Sequence, residues 1–595
     1  MNNQRNLILA VVLSAALLFG WEFLMSRFYP QSEQPAAVAE QQAATPAGQV
    51  QGTAPLPKVR RTREGGLLDP ADIALEQKDL ETELAAPGRV RIDAPEVAGS
   101  INPVGARIDD VVLKTHRQSV EMDSGPVRLF SPAGTPAQQF AQFGWVGEGV
   151  KLPDAKTVWR AEGGRLAPGN PVTLAWDNGE GLAFTIRFTI DQRYMVTAEQ
   201  TVANMTDAPV VAQPYAFINR TSRTASQDSY NVHSGPIGAF GGAVDFDWDY
   251  DDVAEAGQVT PGQKADWLGF TDIYWLSALV PEKGAATDAD FRVLDPEHYR
   301  ADLIYDPATV PAGKQFTRTT RLFAGAKESD VLDAYEAQGI DKFGLAIDWG
   351  WFRWFEKPIF WLLNTLYGLV GNFGVAIMLL TVIIRALMFP IAQKQFASMA
   401  QMRAVQPKMK ALQERYKDNK QQLQQEMAKL YRDEKVNPLA GCLPIFIQIP
   451  IFFALYKTLL LAIEMRHKPF VLWIKDLSAP DPLHVLNLFG LLDFNPPAFL
   501  AIGVLAILLG ITMWLTFRLN PASMDPVQQQ IFSIMPWVLM FVMAPFAAGL
   551  LLYWITSNLL TLAQQTYLYS RHPQLKAQAE KDKADKTRAA ARDGK

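Results

Sequence analysis

The chain has 595 residues, 49% of them apolar, with 56 Lys+Arg against 61 Asp+Glu and a single Cys. Its length and uneven apolar runs exclude a single soluble domain, and one cysteine excludes a disulfide framework or a cysteine-rich metal site. Residues 59–345 hold 27 Lys+Arg and 42 Asp+Glu and the remainder holds 29 and 19, so an acidic block and a basic remainder point to two compartments.

The N-terminus reads as a transmembrane anchor over 1–30. An apolar run from Leu7 to Met25 follows Arg5, and Trp21, Phe23, Phe28 and Tyr29 stand where a cleaved signal would have small residues. Residues 31–58, rich in Gln, Ala, Pro and Gly, cannot build a core and read as a flexible linker. From 59 to 345 the pattern changes to short alternating segments: Val172–Trp176, Ala183–Ile190, Tyr194–Val202, Val210–Ile218 and Gln315–Phe323. Turn residues punctuate them, which predicts an all-β sandwich placed outside the cytoplasm. A helix is expected over Glu328–Gln338. The run Asp245–Asp252 puts alternate acids on one strand face, but it lacks the glycine turn of a calcium loop and reads better as a solvated hairpin tip.

The rest reads as membrane. Residues 346–370 predict an amphipathic interfacial helix, with Phe352, Phe355, Ile359, Leu362 and Leu366 on one face and Arg353, Lys357 and Asn364 opposite. Gly368, Gly371 and Gly374 separate it from a span ending near Pro390, within a core of residues 371–570. Further spans are expected at 443–463 and 497–517, and Pro545 to Gly549 would fold 531–567 into a helical hairpin. With the anchor this makes six transmembrane helices, five of them in the core. Ten basic residues in 391–440, eight after 570 and three in 464–496 place the first two segments, and so both termini, in the cytoplasm.

No phosphate loop, H-E-x-x-H or G-x-S-x-G occurs, so no cofactor, metal or catalytic site is expected. The one conspicuous group is Arg385, about 8 Å inside the end of its span at 1.5 Å per residue. A guanidinium keeps its proton, and burying it in hydrocarbon costs at least ~2.5–3.5 kcal/mol. No Asp or Glu lies in a predicted span core after the first, so water must reach the charge. Snorkelling to lipid headgroups is one reading; a water-filled pocket in the inner leaflet is the other. Tyr553, Ser557, Thr561 and Gln564 form a stripe on the last helix, Trp554 flanks it, and Gln448 and Thr381 add polar groups from two more helices. Singly these are helix–helix hydrogen bonds; together they suggest a hydrophilic cavity. Residues 391–440 predict two antiparallel helices turning near Lys417. Arg403, Lys408, Lys410, Arg415 and Lys417 either fix topology or dock an acidic or ribosomal partner.

Six ordered blocks carry a resemblance. Leu379–Pro390, Gln406–Lys410, Glu434–Cys442, Pro450–Tyr456, Trp473–Ser478 and Leu552–Asn558 together resemble the YidC/Oxa/Alb membrane protein insertases. The anchor and β domain look like the Gram-negative form, which implies a β-supersandwich in the periplasm of an inner-membrane protein. The resemblance implies an insertase and chaperone for nascent membrane proteins, acting alone or with the Sec translocon and fed by ribosomes or the signal recognition particle pathway. It makes Arg385 the groove arginine, Thr381 a substrate-contacting residue and 391–440 the mobile cytoplasmic hairpin. Trp554 stands where some relatives have Tyr, which puts any role for a hydroxyl there in doubt. A channel or solute transporter, and a membrane-anchored periplasmic sugar-binding protein, remain alternatives.

Overall fold

Alternation builds the first half of the molecule. The strand Leu182–Ile190 buries Leu182, Phe184, Ile186, Phe188 and Ile190 and exposes the residues between, the period of two that a one-sided sheet requires. It pairs antiparallel with Met195–Asn204 in continuous register from Val196↔Ile190 to Asn204↔Leu182, and that strand pairs on with Gln315–Ala326. These lie in a nine-stranded sheet, and a second sheet has eleven strands. Phe143 packs edge-on against Phe188 with ring centroids 5.5 Å apart, and Trp145 against Phe184 at 5.1 Å, which sets the two sheets face to face. All five expected strands form, so the all-β sandwich stands.

The computed structural model describes residues 61–571 except 122, 228–231, 351–352, 417–418, 435–442, 490, 493–500 and 520–525. The expected anchor, linker and basic tail lie outside the described residues. One unit comprises Val59–Asn520 and Pro536–Lys595; the described part of the other is the first half of a single helix, Pro526–Met543.

In chain order the helices are α1 (Pro70–Leu84), α2 (Tyr250–Ala256), α3 (Ser329–Ala337), α4 (Arg353–Val370), α5 (Phe373–Leu387), α6 (Phe389–Arg415), α7 (Lys420–Asp433), α8 (Leu443–Leu461), α9 (Val504–Leu519), α10 (Pro526–Met543) and α11 (Ala548–Arg571). The acidic run 245–252 is not one strand face. It leaves a strand at Asp245 and enters α2, where Asp249 caps the N-terminus and Asp252 completes the capping box. Reciprocal capping satisfies two backbone donors at once, which extended backbone could not use.

The helical half begins with α4, whose buried face is Glu356, Ile359, Phe360, Leu363 and Leu366, leaving Trp354, Trp361 and Leu369 exposed. This face keeps the expected Ile359 and Leu366, with Phe355 and Leu362 half-buried against it, and adds Glu356, Phe360 and Leu363. Gly371, at φ 67°, closes α4 and lets the chain reverse into α5. Asn372 caps α5, accepting from the Val375 backbone. Helices α6 and α7 form the expected hairpin, and the α10–α11 reversal falls at residues 544–547.

Among the described residues no single helix is long and apolar enough to cross a membrane. Phe373–Leu387 and Phe389–Gln395 pass together, bent by 56°. The apolar segments Gln448–Leu461, Val504–Arg518 and Ser533–Met543 are shorter, and α11 is diluted by its own polar stripe.

Candidate functional site

The site is assembled from α5, α8, α9 and α11. Arg385, in the last turn of α5, is half-buried and turns its guanidinium to α11: Nε donates to Ser557 Oγ at 3.2 Å, and a second nitrogen of the same group donates to that oxygen. No ion pair to Arg385 forms among the described residues. Ser557 is 2% exposed and can accept at most two such bonds, so a group with five N–H donors keeps donors in hand. About two turns further along α11, the Gln564 amide donates to the Arg385 carbonyl at 3.5 Å, and Thr561, one turn from Ser557, donates to the Ser557 carbonyl at 2.7 Å.

Above this level the polar groups satisfy one another. The Gln448 amide donates to the Tyr553 hydroxyl, joining α8 to α11, and Asn558 donates to Thr512 Oγ1 at 3.2 Å, joining α11 to α9. Trp554 packs on Phe452 at 5.4 Å, Phe452 stacks with Tyr456 at 6.3 Å, and Tyr456 meets Phe546 at 5.8 Å. That aromatic ladder closes the end of the bundle where α11 begins. About four α-helical turns, ~20 Å, separate the start of α11 from Thr561.

Of the expected residues, Arg385 is joined to Ser557 and Gln448 to Tyr553, with Thr561 one turn further along α11, whereas Trp554 packs on Phe452 instead. Thr381 is 1% exposed, and its hydroxyl donates to the Ile377 carbonyl of its own helix at 2.7 Å. Thr512 was missed; its spacing of four from Thr516 was the available signal. Of the hairpin cations, Lys408 pairs with Glu434 across α6 and α7, and Arg415 lies over the Tyr416 ring at 5.7 Å. Arg403 and Lys410 belong to α6, and Lys417 lies outside the described residues.

Glu64, His467 and Asp476 bring ligand atoms within 4.8 Å of one another. Arg466 donates to Glu64 at 2.7 Å, so the cluster already has its counter-cation. Burial alone would raise the Glu64 carboxyl, but the His467 hydrogen bond and the Arg466 charge hold it below its ordinary value.

Two family models match in tandem: the YidC periplasmic domain over residues 89–362 and the 60Kd inner membrane protein over 365–576. "Membrane protein insertase YidC" of Zymomonas mobilis subsp. mobilis is 46% identical over 575 residues, covering 96% of each chain. The chain belongs to the YidC family. Its counterpart in Bradyrhizobium diazoefficiens is 43% identical over 602 residues, covering 96% of this chain and 97% of the other. A crystal structure described as active YidC insertase with the first transmembrane domain resolved has a TM-score of 0.34 and 18% identity, covering 80% of this chain and 92% of that one. In YidC terms the β-sandwich is the periplasmic domain, α4 carries the chain from one matched region to the other, and the arginine site lies wholly in the second, which bears the inner-membrane name.

Proposed function

We propose that this chain is a membrane protein insertase of the bacterial inner membrane, using the Arg385 site as a groove that is wet from the cytoplasmic side. The observation that carries the reading is a half-buried guanidinium whose side-chain partner is a neutral serine on the facing helix. A salt bridge would cancel the charge, whereas a hydroxyl leaves it available to an acidic flank on an incoming chain. The aromatic ladder supports closure towards the periplasm, which argues against a channel.

A nascent polypeptide lays its polar flank along Arg385, Ser557, Thr561 and Gln564 and avoids most of the dehydration of crossing hydrocarbon. Its apolar segment slides along the lipid-facing side. Backbone groups need partners throughout, and water with the amide and hydroxyls of Gln448 and Tyr553 supplies them when their mutual bond opens. Thr381 supports the wall, not the substrate. Transfer of ~20 apolar residues into lipid drives the step, so no nucleotide is required. The full topology in this reading has six spans, with both termini cytoplasmic. The hairpin, through Arg403, Lys408, Lys410, Arg415 and Lys417, meets the ribosome or the signal recognition particle pathway, and the Sec translocon is a partner for some substrates.

The experiment compares substrates with acidic and neutral flanks in proteoliposomes. Arg385→Ala is expected to slow insertion of the acidic one about tenfold, the effect of ~1.4 kcal/mol, and to spare the neutral one. Arg385→Lys should recover part of the rate, and Ser557→Ala should cost less than Arg385→Ala and nothing further in its presence. Equal slowing of both substrates, or of neither, removes electrostatic attraction from the mechanism.

A further inference from the structure

Away from the groove, a cavity of about 1010 Å³ opens where the β-sandwich, α4 and the segment after α8 meet. Its chemistry is divided. One wall is apolar: Tyr367 stacks on Phe373 at 3.8 Å, beside Phe360 and the 67% exposed Trp361. The other is polar, and most of its charges are matched, Lys357 with Asp333 at 2.9 Å and Glu328 with His116 at 3.3 Å.

Besides the exposed Asp330, three lining groups are left over among the described residues. Glu464 accepts from the Ser329 backbone at 3.0 Å through one oxygen, but its other oxygen is buried without a hydrogen-bond donor among the described residues. The Asn364 carbonyl oxygen, on α4, is buried in the same condition. Lys468 extends its ammonium over the Tyr367 ring, 6.0 Å from the centroid, with no carboxylate in ion-pair range among the described residues. Buried acceptors without donors are expensive and call for a ligand that donates. A cation lining the same cavity, with no ion pair among the described residues, calls for an anion on the same ligand.

We propose that this cavity binds a phosphate ester carrying a primary ammonium, supplied as the headgroup of an aminophospholipid of the phosphatidylethanolamine class. The ammonium brings three donors to Glu464 and Asn364, the phosphate meets Lys468, and the glycerol and first methylenes lie on Tyr367, Phe373 and Trp361. The lipid source follows from the exposed face of α4: Trp361 lines the cavity, Trp354 and Leu369 are exposed on the same helix, and such residues suit the membrane–water boundary, so a lipid enters sideways. A quaternary choline has the same charge and no N–H, so discrimination against it is the signature.

The test reconstitutes the full chain in nanodiscs holding equal phosphatidylethanolamine, phosphatidylcholine and phosphatidylglycerol of one acyl composition, then releases it into detergent for native mass spectrometry. Retained phosphatidylethanolamine should exceed phosphatidylcholine at least about fivefold. Asn364→Ala should bring the ratio towards one, and Lys468→Glu should reduce retention of both. Lys468 is half-exposed, so its variant folds even if the other does not. Equal retention by the wild type, a ratio unmoved by Asn364→Ala, or retention unmoved by Lys468→Glu overturns the proposal; displacement by millimolar soluble phosphoethanolamine overturns the lipid source. Lipid retention is read without insertion, so failure here leaves the groove reading intact.

Discussion

Arg385 and Glu356 show two ways of keeping an ionisable residue in an apolar place. Arg385 cannot discharge, so it needs hydration or dipoles, and Ser557 provides one. Glu356 can discharge. It is 2% exposed, its Oε2 has no donor among the described residues, and burial raises its carboxyl to about 7, with Lys457 opposing and Asp348 adding to the rise. The folded chain therefore binds a proton that the unfolded chain releases near 4.5, so the contribution of this residue to stability declines as pH rises from 4.5 through about 7. Glu356→Gln, neutral at every pH, should match the wild type at pH 5 and unfold ~2–5 °C higher at pH 8 in detergent. A Gln variant less stable than wild type at pH 8 would mean that the carboxylate is held as an anion by Lys457. Arg385 was legible in the sequence because a charge inside an apolar run breaks the composition of its segment. Glu356 was not, because at the start of an amphipathic helix a carboxylate looks solvent-facing until the element it packs against is known.

Elements were legible where one periodicity governed them. The strands Leu182–Ile190 and Gln315–Ala326 and the α6–α7 hairpin follow from alternation or from spacing of three and four. The face of α4 was legible at Ile359 and Leu366, with Phe355 and Leu362 half-buried beside them; Glu356, Phe360 and Leu363 join its buried side, which depends on the element it packs against. The acidic run was misjudged because alternation and helix capping use the same Asp residues, and only chain direction separates them. Close approach between elements is invisible in the sequence, and Gly374 shows it. A Cβ there would stand 2.0 Å from the Phe470 ring, so α5 can lie this close to the segment after α8 only with glycine at 374. Alanine in place of helical glycine ordinarily gains about 1 kcal/mol. Here the sign should reverse: Gly374→Ala should lose ~1–3 kcal/mol by overpacking, and Phe470→Leu should absorb much of that loss in the double variant. Thermal unfolding of the four proteins checks it, and an unchanged or raised transition for Gly374→Ala would show that Phe470 moves aside freely.

At the scale of the whole molecule, the acidic sandwich and the basic helical half are held by a few buried cations that cross between them. Arg63 reaches from the sandwich side to the last turn of α8, donating to Leu459 O at 2.9 Å and Leu460 O at 2.5 Å, where a helix end carries partial negative charge. Arg466 reaches the other way. It is 6% exposed, donates to Glu64 at 2.7 Å, to Arg117 O at 2.7 Å and to Gln118 O at 3.1 Å, and lies 5.2 Å from the Trp275 ring centroid. Planar geometry lets one side chain serve three acceptors and a ring, which a lysine cannot. Arg466→Ala strips donors from two backbone carbonyls, while half-buried Glu64 can regain water, so the loss should be ~2–3 kcal/mol, below that of a sealed ion pair. Arg466→Lys should recover less than half. Because these contacts lie at the junction and not in the sandwich core, the loss should be local: amide exchange should rise at 61–68 and 115–119 and stay unchanged along Leu182–Asn204. Faster exchange throughout the sandwich would make Arg466 part of that domain's own stability; no change at the junction would mean that Arg466 merely fills space there and that Arg63 and the remaining contacts hold the two halves.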